Sequence, residues 1–283
     1  MTTRPSFSVT KALSAAVASL PAAWGGAWLV LLLLWGTAVY APIMLHGWHM
    51  GWHALLVMVA LGILKLMTTG ALYRIALFGK DAKKEGLGIG GLQLAWPELR
   101  LVAAGIIVGL FVLVIIAAIL IVFAMAFNMS GMGARYDNTL LALRAVFTEH
   151  DTLGDWIVIG YLVAACLFMA FVSLKFSLLH AANIAEHRLV TLNALGLSTG
   201  QVGKLFVGIL ALMLPFLAIV AGLHHLFGAE IRLADAMPYP WMNQRMGLAL
   251  HGGLLVLNIG VLTPLLAGFF ASAYRQITAT RAV

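Results

Sequence analysis

Six long apolar segments constrain the fold of this chain more than any other feature of its sequence. They cover approximately residues 24–45, 53–78, 99–128, 155–180, 204–228 and 247–274. A helix needs roughly 20 apolar residues to cross the hydrocarbon of a bilayer, and each segment reaches that length. The segments are apolar on all sides and show no alternation with a period of two, which disfavours a β-barrel. We therefore predict an all-α fold, a bundle of six transmembrane helices.

The composition supports this prediction, because 63% of the residues are hydrophobic and only 10% are charged. A soluble domain is about half apolar and about a quarter charged, so the surplus of apolar residues has only lipid to face. We expect the whole chain, residues 1–283, to form a single integral membrane domain. The formal net charge of +7 favours contact with anionic lipid over nucleic acid, since no basic cluster alternates with aromatic residues.

Lysine and arginine are distributed unequally between the two ends of the predicted bundle. The two termini, the loops at 79–98 and 181–203 and the span ends beside them carry twelve, and the opposite end carries four. Basic residues concentrate on the cytoplasmic side of membrane proteins. The sequence therefore predicts that both termini lie in the cytoplasm.

Three segments that lead into spans resemble one another, and so do three segments that follow spans. The entries are residues 9–32, 91–114 and 190–214, and the exits are GALYRIAL (70–77), LLHAANIAEHR (178–188) and FASAYRQI (270–277). The pattern predicts three parallel repeats, each an interfacial helix followed by a helical hairpin. The predicted repeats cover residues 9–80, 91–189 and 190–279, and an amphipathic outer loop covers residues 129–154.

The segment KFSLLHAANIAEHRLVTLNALGLSTGQVGKLFVGILALMLP (175–215) resembles a known bacterial family. That family is named for the membrane domain of glycerophosphoryl diester phosphodiesterases, and GALYRIAL and SAYRQI also resemble its span ends. The resemblance implies six helices in a bacterial inner membrane and supplies no catalytic residues. The barrel domain that carries phosphodiesterase chemistry has no counterpart in these residues, so we expect no enzymatic activity.

The stretch HGWHMGWH (46–53) is the densest group of histidines in the chain, and it lies between two apolar segments. Histidines three or four residues apart can share one helical face, and imidazole together with nearby methionine thioethers suits copper. The alternative is that histidine and tryptophan mark the membrane interface, where their rings are half buried. We expect no cofactor unless these groups bind copper. The candidate metal ligands are His46, His49, His53, His224, His225 and His251.

Lys65 lies near the middle of the second predicted span, away from the basic residues at the span ends. It lies nine residues before Arg74, which is about 13 Å along a helix. An ammonium at this depth costs roughly 2.5–3.5 kcal/mol, and no acidic residue is predicted near it. We expect Lys65 to face a polar cavity of the bundle, with Thr68, Thr69 and Asn258 as the candidate partners in ligand binding.

Breaks in the last two spans could open such a cavity. Pro215 lies in the fifth span and Thr263-Pro264 in the sixth, where proline kinks a helix. We expect the glycines of the spans to allow close contact between helices. These glycines are Gly105, Gly109, Gly208, Gly222, Gly252, Gly253 and Gly260.

The residues favour a membrane protein that moves or organises an amphiphilic or anionic molecule such as a lipid. One alternative is a copper-handling or redox accessory subunit that uses the outer histidines and methionines. A second alternative is a structural subunit of a larger membrane complex, without a ligand. The sequence alone leaves these three hypotheses open.

Overall fold

The computed structural model describes residues 7–47, 52–129, 153–236 and 243–279, and the regular elements in these ranges are all helical. Six helical stretches are long and apolar enough to cross a membrane. They correspond to the six segments expected from the sequence. The predicted all-α, six-span fold is therefore confirmed.

The helices follow one another along the chain without an intervening strand in the described ranges. Two short 3₁₀ helices, Gly79–Lys83 and Ile89–Gly91, lie between the second and third spans, and a π-helical segment, Val256–Leu262, interrupts the sixth. In chain order the α-helices are α1 (Val9–Gly47), α2 (Trp52–Phe78), α3 (Trp96–Met129), α4 (Leu153–Phe176), α5 (Leu179–Ala185), α6 (Ala194–Leu197), α7 (Val202–Ala236), α8 (Asn243–Leu255) and α9 (Thr263–Ala279).

The three entry segments differ in structure. In α1 the backbone of Ala27 leaves helical geometry (φ −118°, ψ 15°), which separates the entry from the span within one continuous element. The second entry begins at the end of the 3₁₀ turn Ile89–Gly91, before α3. The third contains only the single turn of α6 before α7. The organisation of the chain as three parallel repeats stays a prediction.

The buried core lies at the end of the bundle that carries the loops 79–95 and 186–201, which we call the basic end. The exits of α2, of α5 and of α9 pack against one another there. The termini join this packing, because Ser8 donates its backbone N–H to Gln276 Oε1 and Lys204 Nζ donates to the carbonyl of Phe7. The basic end is thus closed by three helix ends that are far apart in sequence.

Small side chains allow α1, α2 and α9 to approach closely. Ala16, Ala27, Ala71 and Ala271 are fully buried between these helices. At Gly268 a Cβ atom would lie only 2.9 Å from the Cα atom of Ala16, so this crossing depends on glycine. Contact of this kind replaces the hydrophobic effect as the force between helices in lipid.

The spans differ in how much of their surface other helices cover, and in α2 all of the buried residues lie between Thr68 and Leu77, near the basic end. None of the residues in the most apolar 18-residue window of the third span is buried, whereas 39% of the corresponding window of the sixth span is. A second small cluster around Phe127 and Val158 joins α3 to α4, and Tyr161 Oη donates to the carbonyl of Ile119. The hairpin of α3 and α4 therefore has its own contacts beyond the basic end.

The expectation that the span glycines serve helix contacts is right at some positions and wrong at others. A Cβ atom at Gly208 would lie 2.1 Å from the ring of Phe269, and one at Gly252 would lie 3.7 Å from Val39. Gly260 faces only its own helix. Four positions have open space where a Cβ atom would be, because they lie on uncovered faces of the spans: Gly105, Gly109, Gly222 and Gly253.

The predicted outer loop at 129–154 falls almost entirely outside the described residues, which resume at Leu153. Its amphipathic helix stays a prediction.

Candidate anion site

The π-helical segment of the sixth span follows from the sequence around Pro264. Proline has no N–H, so the carbonyl four residues earlier, that of Gly260, loses its usual donor. The indole N–H of Trp24 donates to this carbonyl at 2.6 Å. Thr263 also donates its hydroxyl to the carbonyl of Asn258, five residues back, at 2.9 Å. The wider helical turn is therefore stabilised by a side chain from the first span.

A groove of about 350 Å³ lies where the first span meets this segment. Its walls are apolar, and the indole N–H groups of Trp24 and Trp35 are both engaged by backbone carbonyls. The broken sixth span thus lines a groove, as expected, but this groove does not include Lys65. Its lining consists of Trp24, Trp28, Leu31, Leu32, Trp35, Val256, Ile259 and Gly260.

Arg74 and Glu98 form an ion pair inside the core of the basic end. Both side chains are almost completely buried, and Arg74 Nη1 donates to Glu98 Oε1. Glu98 Oε2 accepts the backbone N–H of Ala95 at 3.0 Å, which caps the start of α3. Gly70 makes room for the pair, since a Cβ atom there would lie 2.5 Å from Glu98 Oε1. The buried guanidinium of Arg74 on α2 is therefore paired with the carboxylate of Glu98 from the same chain.

Lys65 differs from Arg74 in both position and partner. It lies two and a half turns earlier on α2, and its side chain is exposed on the outside of the helix. An exposed lysine does not face an enclosed cavity, so the expected polar cavity around Lys65 is not found among the described residues. Within the described part of the chain, no hydrogen bond or ion pair engages its ammonium.

The three other candidate partners do not gather around the Lys65 ammonium. Thr68 is buried and donates its hydroxyl to the carbonyl of Leu64 at 2.7 Å. Thr69 donates to the carbonyl of Lys65 at 2.8 Å, and the side chain of Asn258 is exposed on the sixth span. Hydroxyl groups that bond to their own helix keep their donors occupied. Their role in ligand binding stays a prediction.

His180 is a polar residue of the basic end that the sequence analysis did not name as a candidate. Helix α4 ends at Phe176, and after a turn α5 places His180 on the basic end beside α2. Its ring lies 5.9 Å from the ring of Tyr73 between centroids. His180 Nδ1 is shielded from solvent and has no hydrogen-bond partner among the described residues. This nitrogen is therefore enclosed by the packing at the basic end.

Acidic side chains at the basic end are engaged elsewhere. Glu98 pairs with Arg74, as described. Three others pair at the loops: Asp81 with Lys84, Glu85 with His187, and Glu186 with Arg188 and with Tyr274 of α9. These acids are therefore engaged by other residues and do not pair with Lys65.

The candidate metal ligands are only partly described. His49 lies outside the described residues, and the side chains of His46 and His224 are not described either. His53 is half-buried with its ring 3.7 Å from that of Trp52, and His225 and His251 are exposed. Among the described residues, no group of three or more histidine, cysteine or acidic side chains could hold a metal ion. Copper binding stays a prediction.

Comparison with known proteins found no match to this chain. No family model matches the chain, and neither a curated protein nor a solved structure matches it.

Sequence reasoning missed His180 because it looked for partners on the same helix or at the same depth. The available signal was the exit LLHAANIAEHR, whose likeness to GALYRIAL places His180 at the closed end beside α2. The contact itself depends on the packing of α5 against α2, which the sequence pattern does not contain.

Proposed function

We propose that this protein is a non-enzymatic membrane protein of the bacterial inner membrane that binds, and so moves or organises, an anionic amphiphile. Both termini lie in the cytoplasm, as the distribution of lysine and arginine favours. The proposal depends on one observation above all. Lys65 is a cation within a span, on an uncovered helix face, with no acidic partner among the described residues.

The energetic argument starts from the cost of this lysine. A charged side chain at mid-membrane depth costs roughly 2.5–3.5 kcal/mol, and it is usually offset by a partner or marks a binding site. Arg74, which is closer to the basic end, has such a partner in Glu98. An anion supplied from the lipid would offset the cost at Lys65. Its apolar part would pack on the uncovered faces of the spans.

The first prediction concerns the Lys65→Met variant, which keeps side-chain length and removes the charge. We expect purified variant protein to retain about tenfold less anionic lipid than wild type, since a hydrogen bond to a charged group contributes about 1.5–3 kcal/mol. Lys65→Arg keeps the charge and should retain part of the binding. Native mass spectrometry at matched detergent concentration measures the retained lipid.

Lys175→Met is the matched control, because Lys175 also lies in a span but donates to Thr199 Oγ1 at 3.1 Å near the basic end. Its removal should leave the lipid content unchanged. Thermal unfolding of each variant reports whether the fold is intact. Equal amounts of anionic lipid in wild type and Lys65→Met would contradict the proposed function.

A further inference from the structure

We propose that the groove between the first and sixth spans binds one acyl chain of a phospholipid, and that the ester carbonyl of this chain accepts a hydrogen bond from the indole N–H of Trp28. The groove has a volume of about 350 Å³, and Lys65 is not among its lining residues. The inference therefore does not rest on the proposed function. It concerns the chain of the lipid and not the charge of its headgroup.

The lining of the groove suits an uncharged chain. None of the described residues that line it is charged, and apart from the tryptophans they carry only hydrocarbon side chains or, at Gly260, no side chain. The indole N–H groups of Trp24 and Trp35 donate to the carbonyls of Gly260 and Gly252, so both donors are occupied. A charged or strongly polar ligand would lose its solvation in this groove without compensation.

Trp28 supplies the remaining hydrogen-bond donor of the groove. It lies one turn after Trp24 on the same face of α1, its side chain is 54% exposed, and its indole N–H has no partner among the described residues. A donor that faces hydrocarbon without an acceptor is costly in free energy. The ester carbonyl is the first acceptor that an acyl chain offers, and the methylene groups beyond it offer none. One polar contact followed by an apolar wall matches that order of groups.

The part of the groove at Trp28 lies beside the basic end. A Cβ atom at Gly26 would lie 2.8 Å from the side chain of Ile75, in the exit of α2. A Cβ atom at Gly91, in the loop 79–95, would lie 3.0 Å from the Cα atom of Ala27. Tryptophan favours the membrane interface, which is also where the ester groups of phospholipids lie. The free indole N–H is therefore at a depth that an ester carbonyl can reach.

The dimensions of the groove fit one chain. Trp24 and Trp35 are eleven residues apart, which is about 16 Å along a helix. A methylene group takes up about as much space as a water molecule, roughly 30 Å³, so a groove of about 350 Å³ has room for roughly a dozen methylene groups. This is most of one acyl chain and too little for two.

The walls of the groove are formed before a chain binds. The two tryptophan hydrogen bonds join the first span to the sixth at Gly260 and at Gly252. The nearest atom to a Cβ atom placed at Gly260 would be Val256 Cγ1 of its own segment, at 4.0 Å, so no other helix occupies this space. Segments of π-helix are frequent at functional sites. A groove that needs no rearrangement lowers the entropic cost of binding.

The test uses a phosphatidylcholine with a photoreactive diazirine in one acyl chain, reconstituted with the full-length protein in liposomes. Peptide mass spectrometry maps the labelled residues after illumination. We expect labelling of Leu32 and Val256 about fivefold above that of Leu110 and Val114, which are exposed on α3. Equal labelling of all four residues would overturn the proposal, because it would show contact with bulk lipid and no preferred site.

Two substitutions fill the groove from its opposite walls. Gly260→Leu places a side chain in the open space at the sixth span, and Leu32→Trp enlarges a lining residue of the first span. Both should lower the labelling of Val256 about fivefold. Gly253→Leu is the matched control, because Gly253 also has open space around it but does not line the groove. Unfolding temperatures check that each variant is folded, and wild-type labelling in both groove variants would overturn the site.

The hydrogen bond of Trp28 is tested with two lipids. We expect the diester phosphatidylcholine to label Val256 about three- to fivefold more strongly than its diether analogue, which has no carbonyl. In Trp28→Phe the two lipids should label equally. Equal labelling by both lipids in the wild type would overturn the role of Trp28. Lys65→Met should leave the labelling unchanged, since phosphatidylcholine has no net charge, so this inference and the proposed function can fail independently.

Discussion

Two cations on the same helix show how much the position of a residue decides its role. Arg74 is buried, pairs with Glu98 and so belongs to the packing of the basic end. Lys65 is exposed on the opposite side of α2 and has no acid among the described residues. The free-energy cost of burying the charge of Arg74 is therefore offset by a carboxylate of the same chain. Lys65 has no such partner among the described residues, which is the observation behind the proposed function.

The buried pair leads to a prediction about stability. Glu98→Gln leaves the guanidinium of Arg74 buried beside a neutral amide, and breaking a buried ion pair on one side costs about 3–5 kcal/mol. We expect a large fall in the unfolding temperature of the purified protein in detergent. Differential scanning fluorimetry measures it.

Glu85→Gln serves as the control for this prediction, because Glu85 faces the half-exposed His187 at 3.4 Å in a loop. An exposed pair contributes about 0–1 kcal/mol, so this variant should unfold close to wild type. Similar unfolding temperatures for the two variants would show that the buried pair does not hold the basic end together.

At the scale of elements, small residues decide which spans approach each other. Helices α1 and α9 meet where Gly268 faces the backbone of Ala16. Helix α7 meets α9 where the ring of Phe269 covers Gly208, and Phe269 also packs edge-on against Phe7. By contrast, α3 has only four buried residues among those described, and its Gly105 and Gly109 face open space. Close contact therefore joins the first, second and sixth spans.

Glycine substitutions test this difference directly. Gly268→Ala places a methyl group against the backbone of Ala16, which cannot move aside as a side chain end can, and overpacking of this kind costs about 1–3 kcal/mol. Gly105→Ala is the matched substitution on α3, where nothing lies within 4 Å of the new atom. We expect Gly268→Ala to lower the unfolding temperature and Gly105→Ala to leave it unchanged or raise it, since alanine favours helix. The reverse order would refute the packing of α1 against α9.

At the scale of the whole molecule, the bundle is closed by packing at the basic end. The exits of α2, α5 and α9 meet at the basic end, together with both ends of the described chain. Lys65 lies beyond this closed region, on an exposed face of α2. An amphiphile can therefore reach Lys65 from the bilayer without passing through the packed end.

Orientation in the membrane is the prediction at this scale. The Lys84→Cys and Leu192→Cys variants, made in a Cys166→Ser background, place single thiols in the two exposed loops of the basic end. A membrane-impermeant maleimide should label both in inverted vesicles and neither in intact spheroplasts, since the basic end is expected in the cytoplasm. Ala134→Cys should give the opposite result. Labelling of Leu192→Cys from outside the cell would refute the predicted orientation.

The sequence by itself determined the class and the number of spans. Six apolar segments of sufficient length leave no alternative to helices in lipid, because each backbone N–H and carbonyl must be satisfied within its own segment. The same local reasoning identified Lys65 as an unusual cation and Pro264 as a break in the sixth span. Those conclusions depend on composition and hydrogen-bonding capacity, which can be read directly from the identity of each residue.

Only the tertiary structure decided which side chains meet. Whether a glycine faces another helix, as Gly268 does, or open space, as Gly105 does, depends on the rotation of each span and not on its sequence period. The partner of Arg74 lies 24 residues away, beyond a loop, and the ring that lies near Tyr73 is that of His180 in another hairpin. A helix that is apolar on all sides has no polar face, so its own sequence does not determine which side packs against the other helices. The packing of small residues at the basic end sets it instead, and with it the pairing of Arg74 with Glu98.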